Sequence, residues 1–209
     1  MNDPSRLVES EKEAYDRIIE ELVRAVQPFD EIEACHQEDI LRWIDTGVPL
    51  CRTRKPDTPP KHLVSYFTLY DPKVNQLLLV NHKKALLWLP PGGHVEPNEH
   101  PSDTAKRELN EELGVNLPLF VDDPIFLTVT ETVGVTAGHV DVSLWYIFLA
   151  DSSCEYSYDL EEFSEIKWFG FDELPLDRTD PHLARFCDKF SQFFSVHSES
   201  FCTIGGLDG

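Results

Sequence analysis

Between residues 93 and 115 the chain spaces acidic side chains, an arginine and two glycines in the pattern Gly-x5-Glu-x7-Arg-Glu-Leu-x-Glu-Glu-x-Gly-Val. A helix of about 3.6 residues per turn would bring Glu108, Glu111 and Glu112 onto one face, because residues three and four apart are neighbours. Like charges at that spacing are destabilising. The spacing therefore favours a bound divalent cation such as Mg²⁺, which prefers oxygen ligands. A solvated acidic face is the alternative interpretation.

Local signals predict that these acids lie on a helix that begins at Pro101 and ends before Gly114. Proline suits the first helical position because its missing N–H is not needed there, and glycine suits the residue after the end. Leu109 and Leu113 provide an apolar stripe for packing on a core. Residues 89–93, Leu-Pro-Pro-Gly-Gly, interrupt regular structure and allow the backbone to approach a ligand closely. We predict that this loop delivers a substrate to the acidic helix.

The whole pattern resembles the Nudix box, and every specified position is filled. The resemblance implies a Nudix-type α/β/α sandwich around a mixed β-sheet and Mg²⁺-dependent hydrolysis of a diphosphate linkage, with Mn²⁺ as a possible substitute. It implies that the acids of the helix face bind the metal and take part in catalysis: Glu108, Glu111 and Glu112. Glu108 is also the candidate base, and the carbonyl of Gly92 is a further implied metal ligand. Arg107 and Glu99 are implied to pair and to orient the catalytic glutamates.

Residues outside the box extend the predicted site. A further acid often completes metal binding in this family, and the acids before Trp168 lead us to favour Glu161 or Glu162; solvated loop carboxylates are the alternative. His139 and Asp141 fall on one side of a predicted strand, because alternate side chains share a side, so we expect them to line the substrate pocket.

Two further groups of residues have simpler alternatives. The basic, proline-rich residues 52–61, which include Arg54, could help to hold substrate phosphates, although a solvated linker is the favoured alternative. His94 and Glu96, two residues apart, could be taken for a metal-binding pair. Loop packing explains that pair more simply.

The formal net charge of −20 argues against binding of polymeric nucleic acid, which depends on lysine and arginine. It would also repel an anionic small substrate, so we expect a near-absolute metal dependence. The apolar stretches fall short of the roughly 18 residues that cross a bilayer. The first residues lack the order of a secretory signal, and the five cysteines form no Cys-x-x-Cys pair, which predicts a cytoplasmic protein without a cysteine zinc site.

The periodicity of apolar residues predicts how the chain is organised. The predicted parts are an N-terminal helical extension (1–50), a proline-rich basic connector (51–61), a Nudix hydrolase domain with a C-terminal helix (62–197) and a flexible tail (198–209). Helices are predicted over 5–27, 30–45 and 180–196, and strands over 62–70, 76–89, 125–133, 139–150 and 165–171. The first sixty residues are expected to shape a homodimer or a substrate lid.

The substrate stays open between a nucleoside di- or triphosphate and a nucleotide-linked metabolite. Enzymes of the family that act on ADP-ribose usually have a proline about fifteen residues past Gly114, where this chain has Val129 and Thr130. Two other functions are weighed: a non-catalytic nucleotide sensor, which often loses box acids, and an enzyme like isopentenyl diphosphate isomerase, whose cysteine motif is missing here.

Overall fold

The computed structural model describes residues 4–55, 58–133 and 138–201. Two helices open the chain, α1 (Pro4–Ala25) and α2 (Glu31–Asp45). Asp30 caps α2, because its side chain accepts a hydrogen bond of 2.8 Å from the backbone N–H of Glu33. Both predicted helices are therefore present, with ends that differ by one or two residues.

The described strands form one mixed, seven-stranded sheet with the order β3-β2-β1-β6-β5, in which β4 also pairs with β1 and β7 with β2. The parallel pair is β1 with β6, and the other pairs are antiparallel. The strands are β1 (Lys61–Asp71), β2 (Gln76–His82), β3 (Leu87–Leu89), β4 (Gly92–His94), β5 (Phe126–Glu131), β6 (Val140–Leu149) and β7 (Phe163–Gly170).

Helices cover both faces of this sheet. The alternation of side chains along a strand sends Leu78 and Val80 of β2 into an apolar cluster with α1, α2 and α3 (Pro101–Leu113). Leu77 and Leu79 point the other way, into a cluster with α4 (Leu183–Phe201). This arrangement confirms the predicted α/β/α sandwich. The N-terminal helices share a core with the sheet, whereas the proposed domain boundaries stay a prediction.

Some predicted element bounds are wrong. The single strand expected over 76–89 is divided into β2 and β3 by a turn, in which the N–H of Leu86 donates to the carbonyl of His82 and Leu86 has a positive φ of 60°. The last helix begins at Leu183 and not at residue 180, because the carboxylate of Asp180 accepts a hydrogen bond from the N–H of His182 and forms the turn before it. It ends at Phe201 and not at residue 196, so it extends into the segment predicted as a flexible tail.

Parts of three predicted segments lie outside the described residues: Pro56 and Asp57 of the connector, 134–137 of the turn before β6, and 202–209 of the tail. Among the residues that the structure describes, no helix has both the length and the hydropathy needed to span a bilayer.

Candidate active site

Helix α3 is defined by its ends, as its sequence predicts. His100 caps the N-terminus by accepting a hydrogen bond from the N–H of Ser102, and Pro101 follows in the first turn. Gly114 ends the helix in the left-handed conformation with a φ of 68°. Leu109 and Leu113 are buried in the core, so the helix presents its remaining faces to residues 89–93 and to solvent. The predicted break in regular structure there is limited to Pro90 and Pro91, because Leu89 ends β3 and Gly92 begins β4. We call residues 89–93 the loop.

The three acids of α3 have different surroundings. Glu112 is only 6% exposed, and its Oε2 accepts a hydrogen bond of 3.1 Å from the N–H of Gly92. The Glu108 side chain is 14% exposed and lies against Gly93, where a Cβ atom would come within 2.1 Å of Glu108 Oε1. The Glu111 side chain is 59% exposed. Glu108 and Glu112 thus face the loop, and Gly93 leaves the room that Glu108 occupies.

The two inward acids are held where a carboxylate is costly. Burial raises the pKa of Glu112 well above its ordinary value, and the charges of Glu108 and Glu162 raise it further. Burial also raises the pKa of Glu108, against the opposing effect of its hydrogen bond to Arg107. Because neighbouring negative charges disfavour the ionised form, this pair is suited to a cationic ligand.

Arg107 and Glu99 form the predicted pair. The guanidinium donates two hydrogen bonds to the carboxylate, from Nε to Oε1 at 2.9 Å and from Nη2 to Oε2 at 3.0 Å. Arg107 also donates from Nη1 to Glu108 Oε1 at 2.6 Å and from Nη2 to the carbonyl of His94 at 3.3 Å. It therefore connects the loop to a catalytic candidate on the helix.

A cavity of about 820 Å³ opens beside these residues and is lined by parts of all seven strands and by the loop. Its lining includes Glu112 and, from the loop before β7, Glu162. Of the two loop acids favoured from the sequence, Glu162 is thus the one at the cavity, whereas Glu161 is exposed. The lining also includes His139 and Asp141, as the sequence predicts.

The basic segment reaches the cavity through residues other than the one predicted. Arg52 and Lys55 line the cavity. Arg54 is exposed and pairs with Thr58 through backbone hydrogen bonds. A substrate-binding role for Arg54 stays a prediction without a contact to support it.

Three histidines and one aspartate, which we call the histidine cluster, come together at the same cavity: His62, His94, His139 and Asp141. Their ligand atoms all lie within 4.8 Å of one another. The pairing of β1 with β6 sets His62 beside Asp141, and the pairing of β1 with β4 sets Val64 beside His94. The sequence predicts His139 and Asp141 at the substrate pocket, but there His94 is assigned to loop packing and His62 is not identified. Only the strand pairing could have brought these residues together.

Comparisons with known proteins agree with this architecture. The family model described as NUDIX domain matches residues 60–190. A protein of Bos taurus named m7GpppN-mRNA hydrolase NUDT17 is 62% identical over 32 residues, which are 15% of this chain and 11% of that protein. A putative 8-oxo-dGTP diphosphatase of Bacillus subtilis (strain 168) is 48% identical over 44 residues, 21% of this chain and 30% of that protein.

The fold has counterparts among solved structures. A hydrolase of the NUDIX family from Clostridium perfringens superposes with a TM-score of 0.51 at 22% identity, over 63% of this chain and 97% of that one. At this identity the likeness shows the fold alone. The matched segments of the two curated relatives span less than a third of each, so those names leave the substrate of this chain undetermined.

Proposed function

The chain belongs to the NUDIX family, and from this premise we propose that it is a Mg²⁺-dependent hydrolase that cleaves a diphosphate linkage by water attack on phosphorus. The observation that carries the proposal is the pair Glu108 and Glu112, packed against Gly93 and Gly92, with Glu112 buried at the wall of the cavity. Arg107 and the N–H of Gly92 donate hydrogen bonds to these carboxylates, but two like charges withdrawn from water still cost folding free energy, which a bound cation would offset.

The donor set fits Mg²⁺. Glu108 and Glu112 offer carboxylate oxygens, and Glu162 lines the same cavity as Glu112. Glu111 and the carbonyl of Gly92 stay proposed ligands. When bound, Mg²⁺ supplies charge neutralisation on the phosphates and a lower pKa for a coordinated water, and Mn²⁺ is expected to substitute.

The chain's own residues provide position and charge. Arg107, held on Glu99, fixes Glu108 in one orientation, which suits a carboxylate that accepts a proton from water. Arg52 and Lys55 place two cationic side chains on the cavity wall, where they would attract phosphate oxygens in a protein of net charge −20.

The size of the cavity favours a small substrate. Its volume of about 820 Å³ lies within the roughly 300–1,000 Å³ of small-molecule sites. We therefore propose a nucleoside di- or triphosphate or a nucleotide-linked metabolite as the substrate, in place of a nucleic acid polymer. We also propose that the protein acts in the cytoplasm, and that its N-terminal helices support a homodimer, which sedimentation would detect.

A substrate panel tests the proposed function. The full chain would be incubated with nucleoside di- and triphosphates, nucleotide sugars, dinucleotides and a capped RNA, with Mg²⁺, with Mn²⁺ or with EDTA, and the products identified by mass spectrometry. Hydrolysis of a small substrate that needs the metal and is lost in Glu112→Gln supports the proposal. Tight nucleotide binding without product would instead indicate a sensor, and cleavage of the capped RNA alone would overturn the proposed substrate class.

Among the residues that the structure describes, no thiol at the cavity supports the isomerase alternative. Of the cysteines that the structure describes, Cys51 and Cys187 are buried, and Cys35 and Cys154 are exposed. None of these four lines the cavity. Burial raises the pKa of Cys51 to about 11, which keeps it a protonated thiol.

A further inference from the structure

We propose that the histidine cluster is a second metal site, which takes a divalent transition-metal ion of the zinc class and is separate from the carboxylates of α3. The site joins three strands of the sheet: His62 lies on β1, His94 on β4 and Asp141 on β6. His139 directly precedes β6. No part of the proposed hydrolysis requires this ion, so the inference goes beyond the proposed function.

The distances in the cluster match a small coordination sphere. Asp141 Oδ1 lies 3.5 Å from His62 Nε2 and 3.3 Å from His139 Nε2. Ligand atoms at about 2.0–2.1 Å from a tetrahedral zinc ion are roughly 3.3 Å apart. All the ligand atoms lie within 4.8 Å of one another, so small side-chain movements would complete the coordination sphere, and His94 and Asp141 are the partly exposed members.

In two of the histidines, the ring nitrogen that faces away from the cluster already makes a hydrogen bond, as it does in metal-binding imidazoles. His62 Nδ1 lies 2.8 Å from the carbonyl oxygen of Pro59, to which it donates. His139 Nδ1 lies 3.2 Å from the hydroxyl of Thr132, and that hydroxyl donates its own hydrogen to the carbonyl of His139. A protonated Nδ1 leaves the Nε2 lone pair directed at Asp141, and such outer hydrogen bonds fix the orientation of metal-binding imidazoles.

The donor atoms of the histidine cluster favour a different metal from the one that the carboxylates of α3 favour. Three imidazole nitrogens and one carboxylate suit zinc and neighbouring transition metals, whereas Mg²⁺ prefers oxygen donors. Four protein ligands form a closed tetrahedral set, as in structural zinc sites. Because His94 directly follows Gly92 and Gly93, a bound ion would anchor β4 and thereby the glycines that contact Glu112 and Glu108.

Arg52 allows a test in which the direction of the change in affinity distinguishes a bound cation from a bound anion. Its Nη1 lies 3.3 Å from His94 Nε2, so its positive charge opposes a cation in the cluster. Removing that charge should tighten metal binding. If the cluster instead bound a phosphate or another anion, removing the same charge would weaken binding.

The experiment is a titration of the full chain with Co²⁺ in a large excess of Mg²⁺, which occupies the carboxylate site. We expect one equivalent of Co²⁺ with the intense visible absorption of a tetrahedral complex, displaced by Zn²⁺. Asp141→Asn and His139→Gln should each lower the affinity by about tenfold or more. Arg52→Gln should raise it.

Two control variants separate this site from the hydrolase. His82→Gln removes a histidine that lines the same cavity outside the cluster, and Glu112→Gln removes a carboxylate of α3. Both should keep the Co²⁺ spectrum and affinity, even though Glu112→Gln loses hydrolysis. Circular dichroism of each variant checks its fold, and the wild-type and Arg52→Gln titrations decide the matter if the cluster variants unfold. The proposal is overturned if wild type takes up no tetrahedral Co²⁺, if uptake depends on Glu112 and not on Asp141, or if Arg52→Gln weakens it.

Discussion

The carboxylate face of α3, which reaches the cavity through Glu112, and the histidine cluster at the same cavity are built in opposite ways. Glu108 and Glu112 come from adjacent turns of one helix and repel each other, and burial raises the pKa of both. The histidines come from separate strands, and burial, followed by the charge of Arg52, lowers the pKa of His94 to about 3. The first region concentrates carboxylates from one helix, whereas the second brings nitrogen donors from separate strands together beside one carboxylate. The difference teaches that the helix face follows from local spacing and offers oxygen donors, whereas the cluster exists only because the sheet brings distant residues together and offers mainly nitrogen donors.

The largest expected effect comes from neutralising the buried member of the carboxylate face. Glu112→Gln should lower kcat about 1,000-fold, since several kcal/mol of metal-derived stabilisation would be lost. The same change should leave the free energy of unfolding in EDTA unchanged or raised, because a buried charge disappears while the amide oxygen can still accept from Gly92. Product assays and thermal unfolding measure the two quantities. If the variant lost stability and activity together, Glu112 would be a structural residue, and the proposed difference between the two regions would be wrong.

The next largest effect on kcat is expected from Arg107, which pairs with Glu99 and orients Glu108. Arg107→Lys keeps the charge but cannot reproduce the fork of hydrogen bonds to Glu99, so kcat should fall about 10- to 100-fold. Lys106→Arg, one position earlier on the same helix and exposed, is the matched control and should leave kcat unchanged. Equal kcat values for Arg107→Lys and wild type would show that Arg107 acts through charge alone.

Loop acids allow a finer test of which side chains belong to the carboxylate face. Glu162→Gln should reduce kcat or Mg²⁺ affinity about tenfold, because Glu162 lies close enough to affect the pKa of Glu108 and Glu112. Glu161→Gln, in the neighbouring exposed position, should have no effect. Titration of activity with Mg²⁺ compares the two variants. Equal losses would assign the effect to the general acidity of the loop.

The smallest expected effect is a pH dependence of the free energy of unfolding, which tests whether Glu112 is a buried ionisable group. Since the folded-state pKa of Glu112 is raised, its stabilising contribution is present at low pH and is lost as pH rises from the ordinary glutamate range, about 4.3, through the folded value. Metal-free wild type should therefore lose stability with rising pH more steeply than Glu112→Gln. Denaturant unfolding in EDTA at several pH values measures both slopes. Identical slopes would contradict the account of Glu112 as a buried charge.

The sequence predicts these two regions to different extents, for a physical reason. Helical spacing is local, so the pattern around Glu108 and Glu112 predicts the helix, its ends and its partner loop without information on tertiary contacts. The spacing could not show that Glu111 is exposed, because burial depends on what packs over the helix. His62 is separated from Asp141 by 79 positions, and only the parallel pairing of β1 with β6 sets them side by side.

The remaining differences also follow from contacts that a local pattern does not contain. The division of residues 76–89 into two strands depends on one turn centred near Leu86. Arg52, not Arg54, reaches the cavity because the path of the segment is set by backbone hydrogen bonds between Arg54 and Thr58.

Hydrolysis in water enriched in ¹⁸O tests the central claim most directly. The full chain would be given Mg²⁺ and the best substrate of the panel, and the label would be located in the products by mass spectrometry. Our account predicts one ¹⁸O atom in a phosphoryl product of wild type and no labelled product in the presence of EDTA. Turnover without incorporation of label into phosphate, or equal turnover in EDTA, would contradict it.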